Sequence, residues 1–418
     1  MIIDQILNNC NQLNSKIAIS YQGRKLTYAD LKSAIHQKVN ELEAIDSIII
    51  PNINPLDTIV QFLAGAHKKK RCLVVPKDWN KNLNELEDEA ASGHFEIGIL
   101  TSGSTGEPKV IWKSNDNWEL AFNHQSDLFR INEKDNVFTI DALSYSANLN
   151  SVIHTLWCGG SVILDSLKNA SSWSQVIQEE GVSSIFLVPS HWNLLLSKVE
   201  LFANVRSCLT AGEKLNGKQA KAILKAFPNS ILTEYYGSAE LGHITYQQNE
   251  EIINAPQSVG KSFPSVKISI IDQQIHVNSP YIAAKFKEKG TVGDLGYLEN
   301  DRLILMGRLG RMFNKRGVNV FAQEIEQVIL LHPLVGKAYL HSVNVLSIQK
   351  LELLYETNSR NDSPDESELW ELLNQKVEKA KHPHFLKRVV EIPTNSNGKI
   401  AIGQLSKKLD EEAVVYMT

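Results

Sequence analysis

Short apolar runs alternate with longer amphipathic stretches along most of the chain. Residues 47–51 (Ser-Ile-Ile-Ile-Pro), 161–164 (Ser-Val-Ile-Leu) and 185–189 (Ile-Phe-Leu-Val-Pro) are typical of buried strands. Residues 173–180 and 218–227 have the spacing of helices with one apolar face. Because strands and helices that alternate in this way form parallel sheets covered by helices, the pattern predicts an α/β fold. The polar segment 357–368 is instead expected to be an exposed loop.

A segment rich in glycine and hydroxyl side chains lies between the apolar runs 97–100 and 110–112, which predicts a tight loop between two strands. Glycines let the backbone approach a ligand closely, hydroxyls donate hydrogen bonds, and a lysine supplies positive charge, so the segment suits nucleotide phosphates. It differs from the ordinary NTPase loop, which requires glycine in place of Pro108 and Ser or Thr in place of Val110. From this segment alone, a flexible polar loop is the alternative. Its candidate residues are Thr101, Ser102, Gly103, Ser104, Thr105, Gly106 and Lys109.

Further motifs follow this segment in a fixed order: Tyr235-Tyr236-Gly237-Ser238-Ala239-Glu240, Gly293-Asp294-Leu295-Gly296-Tyr297, Gly307-Arg308, Gly317, Glu324-Ile325-Glu326 and Asn397-Gly398-Lys399-Ile400. With them the sequence resembles the adenylate-forming superfamily of acyl-CoA synthetases, peptide-synthetase adenylation domains and luciferases, whose hallmark is a loop of the type TSGSTGxPK. The resemblance covers nearly the whole chain, and it is greatest to short bacterial acyl-CoA synthetases.

The resemblance implies two domains. A large N-terminal multi-sheet α/β domain that binds AMP is expected over residues 1–308, and a small mobile α+β C-terminal lid over residues 309–418. The hinge is expected near Arg308, and Gly310 stands where the family commonly has Asp or Lys. Because glycine widens the accessible backbone conformations, it loosens the expected balance between two lid orientations.

The resemblance also implies a reaction. A carboxylate attacks the α-phosphate of ATP to form an acyl-adenylate and pyrophosphate, and a thiol then displaces AMP. The implied cofactors are ATP and Mg²⁺, with coenzyme A as co-substrate. Fixed donors and a metal ion suit this chemistry because negative charge spreads over the phosphates.

Roles carry over to single positions on the same resemblance. Glu240 is expected to hold Mg²⁺, Ser238 to face the α-phosphate, and Lys399 to reach the carboxylate and α-phosphate oxygens. The segment Thr101 to Lys109 is assigned to the β- and γ-phosphates, Tyr236 to the adenine, and Asp294 to the ribose hydroxyls. The remaining nucleotide or thiol contacts are expected from Gly212, Glu213, Tyr235, Gly237, Arg308 and Gly317.

The acid pocket is expected around Tyr145, Ser146 and Leu149. Peptide-synthetase domains place an Asp where Ser146 stands, and many acyl-CoA synthetases a His where Tyr145 stands, so neither marker is present. Neighbouring apolar side chains favour an uncharged acyl or aryl tail or simply belong to the core: Leu143, Leu149, Val152 and Leu187.

Three functions are compatible with the sequence. A fatty-acid:CoA ligase is favoured. The first alternative is an acyl- or aryl-adenylating enzyme that loads the phosphopantetheine of an acyl carrier protein. The second is a nucleotide-binding protein that has lost catalysis. Five motif residues are retained together, which argues against this alternative: Lys109, Glu240, Asp294, Arg308 and Lys399.

Composition and charge exclude other classes. The 418 residues are 43% hydrophobic with a net charge of −4, so a large core is expected, but no global field for nucleic acid or an anionic membrane. The basic run 68–71 is interpreted as a solvated helix end, with a patch for nucleic acid or an acidic partner as the alternative.

No apolar run reaches the roughly 18 residues of a membrane span, and the N-terminus lacks a signal-peptide pattern, so a cytoplasmic protein is expected. Four scattered cysteines predict reduced thiols: Cys10, Cys72, Cys158 and Cys208.

Overall fold

The computed structural model describes residues 1–42, 46–79, 94–102, 108–197, 201–255, 257–315, 318–345, 348–359, 363–394, 400–401, 403–405 and 408–409. The chain divides into two compact units. The first unit comprises residues 1–269, 276–292 and 298–304, and the second comprises residues 270–275, 293–297 and 305–418.

Several helices begin at side chains that cap them. The Thr27 hydroxyl accepts from the Asp30 amide, and Asn216 and Asp365 cap two later helices in the same manner, each satisfying a backbone donor that the first turn leaves open. The helices of the first unit are α1 Ile2–Gln12, α2 Tyr28–Glu41, α3 Pro55–His67, α4 Asn115–Phe129, α5 Ser146–Cys158, α6 Trp173–Glu179, α7 Pro189–Leu196, α8 Gly217–Ala226 and α9 Glu250–Asn254; those of the second are α10 Ala322–Ile329 and α11 Glu366–Lys376.

The large sheet of the first unit is mainly parallel. Its strands are β1 Ile17–Tyr21, β2 Arg24–Thr27, β7 Asn136–Ile140, β8 Ser161–Asp165, β9 Ser184–Phe186, β10 Ser207–Ala211, β11 Ile231–Ser238, β12 Gly242–Gln248 and β13 Ser258–Ser262, in the spatial order β13-β12-β11-β10-β9-β7-β8-β1-β2. Pairing is parallel from β11 through β10, β9, β7 and β8 to β1, and antiparallel at both ends. The predicted α/β alternation with parallel strands is confirmed.

A second sheet of the first unit carries the glycine-rich segment. It has the order β3-β4-β5-β6, with β3 Ser47–Asn52, β4 Arg71–Pro76, β5 Glu96–Ser102 and β6 Pro108–Ser114. Strands β5 and β6 pair antiparallel, so the segment between them connects neighbouring strands, as predicted.

The basic run at the end of α3 is only partly solvated. Arg71 is 2% exposed, lies 2.9 Å from the Glu96 carboxylate, and stacks its guanidinium 3.8 Å from the Trp112 ring centroid. The predicted solvated helix end is therefore wrong for Arg71, whereas Lys68 and Lys69 are exposed. Arg71 is buried because the fold places the Glu96 carboxylate and the face of the Trp112 ring against its guanidinium.

The remaining strands lie toward the C-terminal half. They are β14 Lys267–Ile271, β15 Gln274–Asn278, β16 Asp294–Glu299, β17 Arg302–Arg308, β18 Met312–Lys315, β19 Val318–Phe321, β20 Val335–Val345, β21 Ile348–Thr357 and β22 Phe385–Arg388. In the second unit β20 and β21 form a long antiparallel pair that β22 extends in parallel, and α10 and α11 share a buried core with this sheet. The prediction of a loop over 357–368 is wrong at both ends, because Thr357 is the last residue of β21 and α11, capped by Asp365, begins at Glu366.

Two of the apolar clusters in the core of the first unit contain the apolar side chains expected around the acid pocket. Leu143, Leu149 and Val152 belong to one and Leu187 to the other, all at most 2% exposed.

All four cysteines are free thiols, and burial raises the pKa of each: to about 11 for Cys10 and Cys158, to about 12 for Cys208, and further for Cys72. No helix among the described residues has the length and apolar character needed to cross a bilayer.

Candidate active site

The strands that flank the glycine-rich segment are held in register. Thr101 pairs with Lys109 and Ser102 with Pro108, and the Thr101 hydroxyl donates to the Lys109 carbonyl oxygen over 3.3 Å. This places the two ends of the segment side by side. Gly103, Ser104, Thr105 and Gly106 lie outside the described residues, so their assignment to phosphate stays a prediction.

The Gly212 turn follows strand β10 and requires glycine. Gly212 has φ of +90°, and a Cβ there would lie 2.4 Å from the Tyr145 hydroxyl oxygen. Tyr145 immediately precedes α5, and burial raises the pKa of its phenol to about 12, with a further contribution from the Glu213 carboxylate. The fold therefore brings the acid-pocket candidate Tyr145 against the nucleotide candidates Gly212 and Glu213.

A buried carboxylate in β11 anchors the same turn. Glu234 accepts from the Lys214 ammonium and from the Gln247 amide, each over 2.6 Å, and from the Leu215 backbone amide over 2.7 Å. Hydrogen bonds to a charged acceptor are stronger than those between neutral groups. Glu234 therefore holds the residues that follow Gly212 in place. The sequence motifs did not point to Glu234, since its role depends on the register of β11 beside the turn.

The Tyr235–Glu240 motif forms the end of β11 and the turn into β12. A Cβ on Gly237 would lie 2.3 Å from the Gly242 carbonyl oxygen, so the two strands meet too closely for any side chain at 237. The Ser238 hydroxyl oxygen accepts from the Leu241 amide over 3.1 Å, and the Glu240 carbonyl oxygen accepts from the Ala283 amide over 2.8 Å. These bonds hold the Ser238 and Glu240 backbone in a defined turn.

Aromatic rings surround the start of this motif. Tyr235 stacks on Phe129 and on Phe186, with ring centroids 5.5 and 6.3 Å apart, and meets His243 at 4.8 Å. Burial raises the pKa of the Tyr235 phenol and lowers that of His243 to about 3. His243 is therefore a neutral imidazole, and its buried Nε2 atom has no hydrogen-bond partner among the residues that the structure describes.

The other two acid-pocket candidates lie on helix α5. Ser146 is its first residue, and Leu149, which is 2% exposed, belongs to the apolar core cluster. Core packing accounts for the burial of Leu149, and its contact with an acid stays a prediction.

In the second unit an ion pair joins two of the predicted motifs. The Arg308 Nε atom donates to the Asp294 carboxylate over 2.6 Å, and the Leu309 amide donates to the Gly293 carbonyl oxygen over 2.8 Å. These contacts connect the start of β16 with the end of β17. The two candidates for ribose and phosphate are thus neighbours, although they are 14 positions apart in the sequence.

The glutamate motif of α10 has a structural part. Glu326 accepts from the Arg311 guanidinium and from the Leu340 amide, each over 2.6 Å, and Arg311 also stacks on the Tyr339 ring. Gly317 and Lys399 lie outside the described residues. The residues on either side of the Asn-Gly-Lys motif, Thr394 and Ile400, pair in an antiparallel bridge.

Glu240, the carboxylate assigned to Mg²⁺, is not part of a preformed cluster of metal-binding side chains among the described residues. Within the described residues, no group of three or more His, Cys, Asp or Glu side chains is arranged to hold a metal ion. Mg²⁺ in nucleotide sites is typically bound by one or two carboxylates together with substrate phosphates and water. A single hard oxygen donor such as Glu240 is compatible with that type of site.

A fully buried lysine lies outside the sequence motifs. Lys113, in β6, is 1% exposed, and burial lowers the pKa of its ammonium to about 7, with a smaller opposing effect of the Glu240 carboxylate. The only sequence signal is a lysine that directly follows the apolar run 110–112.

Comparison with known proteins defines the class. The sequence model of the AMP-binding enzyme family matches residues 49–281, more than half of the chain. The chain belongs to this family, and by class it is an AMP-forming acid–thiol ligase.

Two relatives and one solved structure match most of the chain. VraA of Staphylococcus epidermidis, which carries the name of a long chain fatty acid-CoA ligase, is 23% identical over 97% of this chain and 98% of its own. YhfT of Bacillus subtilis, an uncharacterized acyl-CoA ligase, is 28% identical over 77% of this chain and 70% of its own. Among solved structures, o-succinylbenzoate CoA synthetase (MenE) from Bacillus subtilis, in complex with the acyl-adenylate intermediate OSB-AMP, has a TM-score of 0.82 at 18% identity and covers 96% of this chain and 97% of its own. This likeness confirms the fold.

Proposed function

We propose that the protein is an ATP- and Mg²⁺-dependent fatty-acid:CoA ligase that acts through an acyl-adenylate. One observation carries the proposal most directly. Strand β6, which leaves the glycine-rich segment, packs on the turn that bears Glu240, since a Cβ on Gly242 would lie 3.4 Å from the Lys113 ammonium nitrogen. This packing supports the proposal that the phosphate segment and the metal carboxylate belong to one site.

The roles proposed for single residues follow the chemistry of the first step. Lys109 and the donors of the segment 101–109 bind the phosphates, Glu240 holds the metal ion, and Ser238 donates to the α-phosphate. The metal ion supplies charge neutralisation on the phosphates. Lys399 orients the acid carboxylate toward the α-phosphate and stabilises the charge that develops there. Asp294 accepts from the ribose hydroxyls, and Arg308 orients it through their ion pair.

The choice of acid rests on the residues at the acid pocket and on the relatives. Ser146 offers no carboxylate to pair with an amino group, and the buried neutral phenol of Tyr145 suits an uncharged tail. The name of VraA supports a fatty acid. An aromatic acid is the second candidate, because the MenE structure contains an o-succinylbenzoyl adenylate.

The domain arrangement is part of the proposal. Residues 309–418 are proposed to act as a lid that carries Lys399 and rotates about a hinge at Arg308–Gly310 to admit the thiol. Free CoA is the proposed acceptor, and the phosphopantetheine of an acyl carrier protein is the alternative.

The test is acid-dependent pyrophosphate release with ATP and Mg²⁺, measured over fatty, aryl and amino acids, with and without CoA. Lys399→Ala serves as the blank. Release that requires a fatty acid and is accelerated by CoA supports the proposal. Release that requires an aryl acid selects the second substrate class, and release that CoA does not accelerate selects a carrier protein. No release with any acid contradicts the ligase assignment.

A further inference from the structure

An ion pair of the second unit binds the backbone that leads to the Asn-Gly-Lys motif. Lys337 in β20 and Glu356 in β21 are cross-strand partners, and the Lys337 nitrogen lies 3.1 Å from a Glu356 carboxylate oxygen. Both side chains also bind Ile392. The Ile392 amide donates to the Glu356 carboxylate over 2.6 Å, and the Lys337 ammonium donates to the Ile392 carbonyl oxygen over 3.0 Å. The pair therefore satisfies both backbone polar groups of one residue, shortly before Lys399 in the sequence.

The chain on the two sides of the motif is joined at the same place. Thr394 and Ile400 pair in an antiparallel bridge. The Ala401 amide donates over 2.8 Å to the carbonyl oxygen of Pro393, which directly follows the residue that the ion pair binds. Lys399 lies outside the described residues, and the described backbone on either side of it is thus connected to the Lys337–Glu356 pair.

Apolar packing already keeps this segment on the sheet. The Ile392 side chain is fully buried, in a cluster with Leu354 and Leu405. The hydrophobic effect has no preferred direction, so this packing does not by itself set the exact position of the backbone. Hydrogen bonds to charged groups are directional and stronger than those between neutral groups. The ion pair therefore adds a defined position for the Ile392 backbone.

A second cross-strand pair on the same strands lacks this contact. His341 and Glu352 are partners in β20 and β21, and their side chains lie 3.1 Å apart. No hydrogen bond among the described residues joins this pair to residues 389–394. The bonds to Ile392 are therefore a particular feature of the Lys337–Glu356 pair and are not needed to pair the strands.

We propose that Lys337 and Glu356 are positioning residues for Lys399, because they fix the backbone from which the segment with this lysine starts. The inference rests on the proposed function, since it takes Lys399 as the residue that acts in adenylate formation. Lys399 is proposed to act in that step and not in the transfer to the thiol. A displaced segment should therefore slow the first step alone, whereas a loss of folded protein would reduce both steps together.

The experiment measures the two half-reactions of Glu356→Ala and of the wild type separately, with an acid that the wild type activates. Pyrophosphate release in a single turnover reports adenylate formation, and thioester formation from the supplied acyl-adenylate reports the second step. We expect Glu356→Ala to slow adenylate formation by about 10–100-fold, because a misplacement of about 1 Å can cost about 10²-fold in rate. The rate of thioester formation should stay unchanged.

Two milder variants remove one part of the arrangement each. Glu356→Gln keeps an acceptor for the Ile392 amide but loses the charge that binds Lys337, and Lys337→Met loses the bond to the Ile392 carbonyl oxygen. Each should slow adenylate formation less than Glu356→Ala does. They also keep the inference testable if Glu356→Ala does not fold.

Glu352→Gln is the matched control, because it removes the carboxylate of the other cross-strand pair from the same strand. It should lower the melting temperature as Glu356→Gln does and leave the ratio of the two half-reaction rates unchanged.

Each kinetic outcome decides a separate point. If the three variants of the Lys337–Glu356 pair slow both half-reactions equally, or neither, the positioning role is wrong while the proposed ligase function stands. If Lys399→Ala does not slow adenylate formation in the same assay, the role of Lys399 is wrong, and this inference fails with it.

Hydrogen exchange provides a test that does not depend on activity. The Ile392 and Ala401 amides should exchange faster in Glu356→Ala than in the wild type, because the bond that holds this backbone is lost, and their exchange should be unchanged in Glu352→Gln. Unchanged exchange in Glu356→Ala would overturn the inference. If the wild type activates no acid, the proposed function fails, and the exchange rates still decide whether the ion pair holds the segment.

Discussion

Gly212→Ala tests whether the fold couples the acid pocket to the nucleotide turn. The substitution meets two separate costs. A side chain at φ of +90° is strained, which costs about 1–3 kcal/mol. The new Cβ also lies 2.4 Å from the Tyr145 hydroxyl oxygen, and overpacking of this kind costs about 1–3 kcal/mol. We expect a total loss of roughly 2–6 kcal/mol in the free energy of unfolding.

Tyr145→Phe separates the two costs. Without the hydroxyl, the nearest atoms to the new Cβ are the ring Cζ at 3.6 Å and Val188 Cγ1 at 3.7 Å, both ordinary contacts. In the Tyr145→Phe background, Gly212→Ala should therefore cost only the backbone strain. The double-mutant cycle should give a coupling energy of about 1–3 kcal/mol.

The assay is urea denaturation of the four proteins, followed by tryptophan fluorescence. Gly23→Ala is the control for strain, because Gly23 has φ of +79° and no atom within 4 Å of the added Cβ. Its cost should match that of Gly212→Ala in the Tyr145→Phe background. Equal costs of Gly212→Ala in both backgrounds would refute the reasoning, since the hydroxyl would then not be the opposing atom.

Three further predictions concern the site and its stability. Lys399→Ala should slow adenylate formation by orders of magnitude and spare thioester formation from a supplied acyl-adenylate, as measured by single-turnover kinetics; equal losses in both steps would contradict its role. Asp294→Ala should weaken ATP binding by roughly 1.5–3 kcal/mol, because it removes a charged acceptor; calorimetry that shows an unchanged affinity would contradict the ribose assignment. Burial lowers the pKa of His154 and His191 to about 4 and of His243 to about 3. The folded state keeps all three neutral, so their stabilising contribution is full above about pH 6.5 and is lost as the pH falls toward 4, by roughly 2 kcal/mol per histidine at pH 5. Thermal melts from pH 8 to pH 4 test this, and a flat profile would be the contrary result.

The sequence predicted the elements whose signal is local. Strands at 47–52 and 161–165 and helices at 173–179 and 217–226 lie where their apolar periodicity indicated. The run 185–189 forms a shorter strand than expected, 184–186, because Pro189 starts α7. A proline fits the first turn of a helix, where its missing amide has no partner to lose.

Candidate site residues in contiguous motifs could be named from the sequence for the same reason, and their roles stay predictions. The buried polar residues that pack beneath them could not be named in this way. Glu234, Lys113 and Arg71 are polar residues in strands, and each is buried because a partner arrives from a distant part of the chain. Gln247 reaches Glu234 from β12, and Tyr281 meets Lys113 across 168 positions. No local pattern encodes such pairings, so the sequence analysis interpreted Arg71 as a solvated charge and did not single out Glu234 or Lys113.

The four cysteines have a practical consequence for measuring turnover. A thiol reagent reacts with the thiolate, and each of the four thiols has a raised pKa, so little thiolate forms on the protein near pH 8. The thiol of free CoA has no such burial. Consumption of CoA can therefore be followed directly with a colorimetric thiol reagent in the presence of the native protein, and the background from the chain itself should stay small and constant during the reaction.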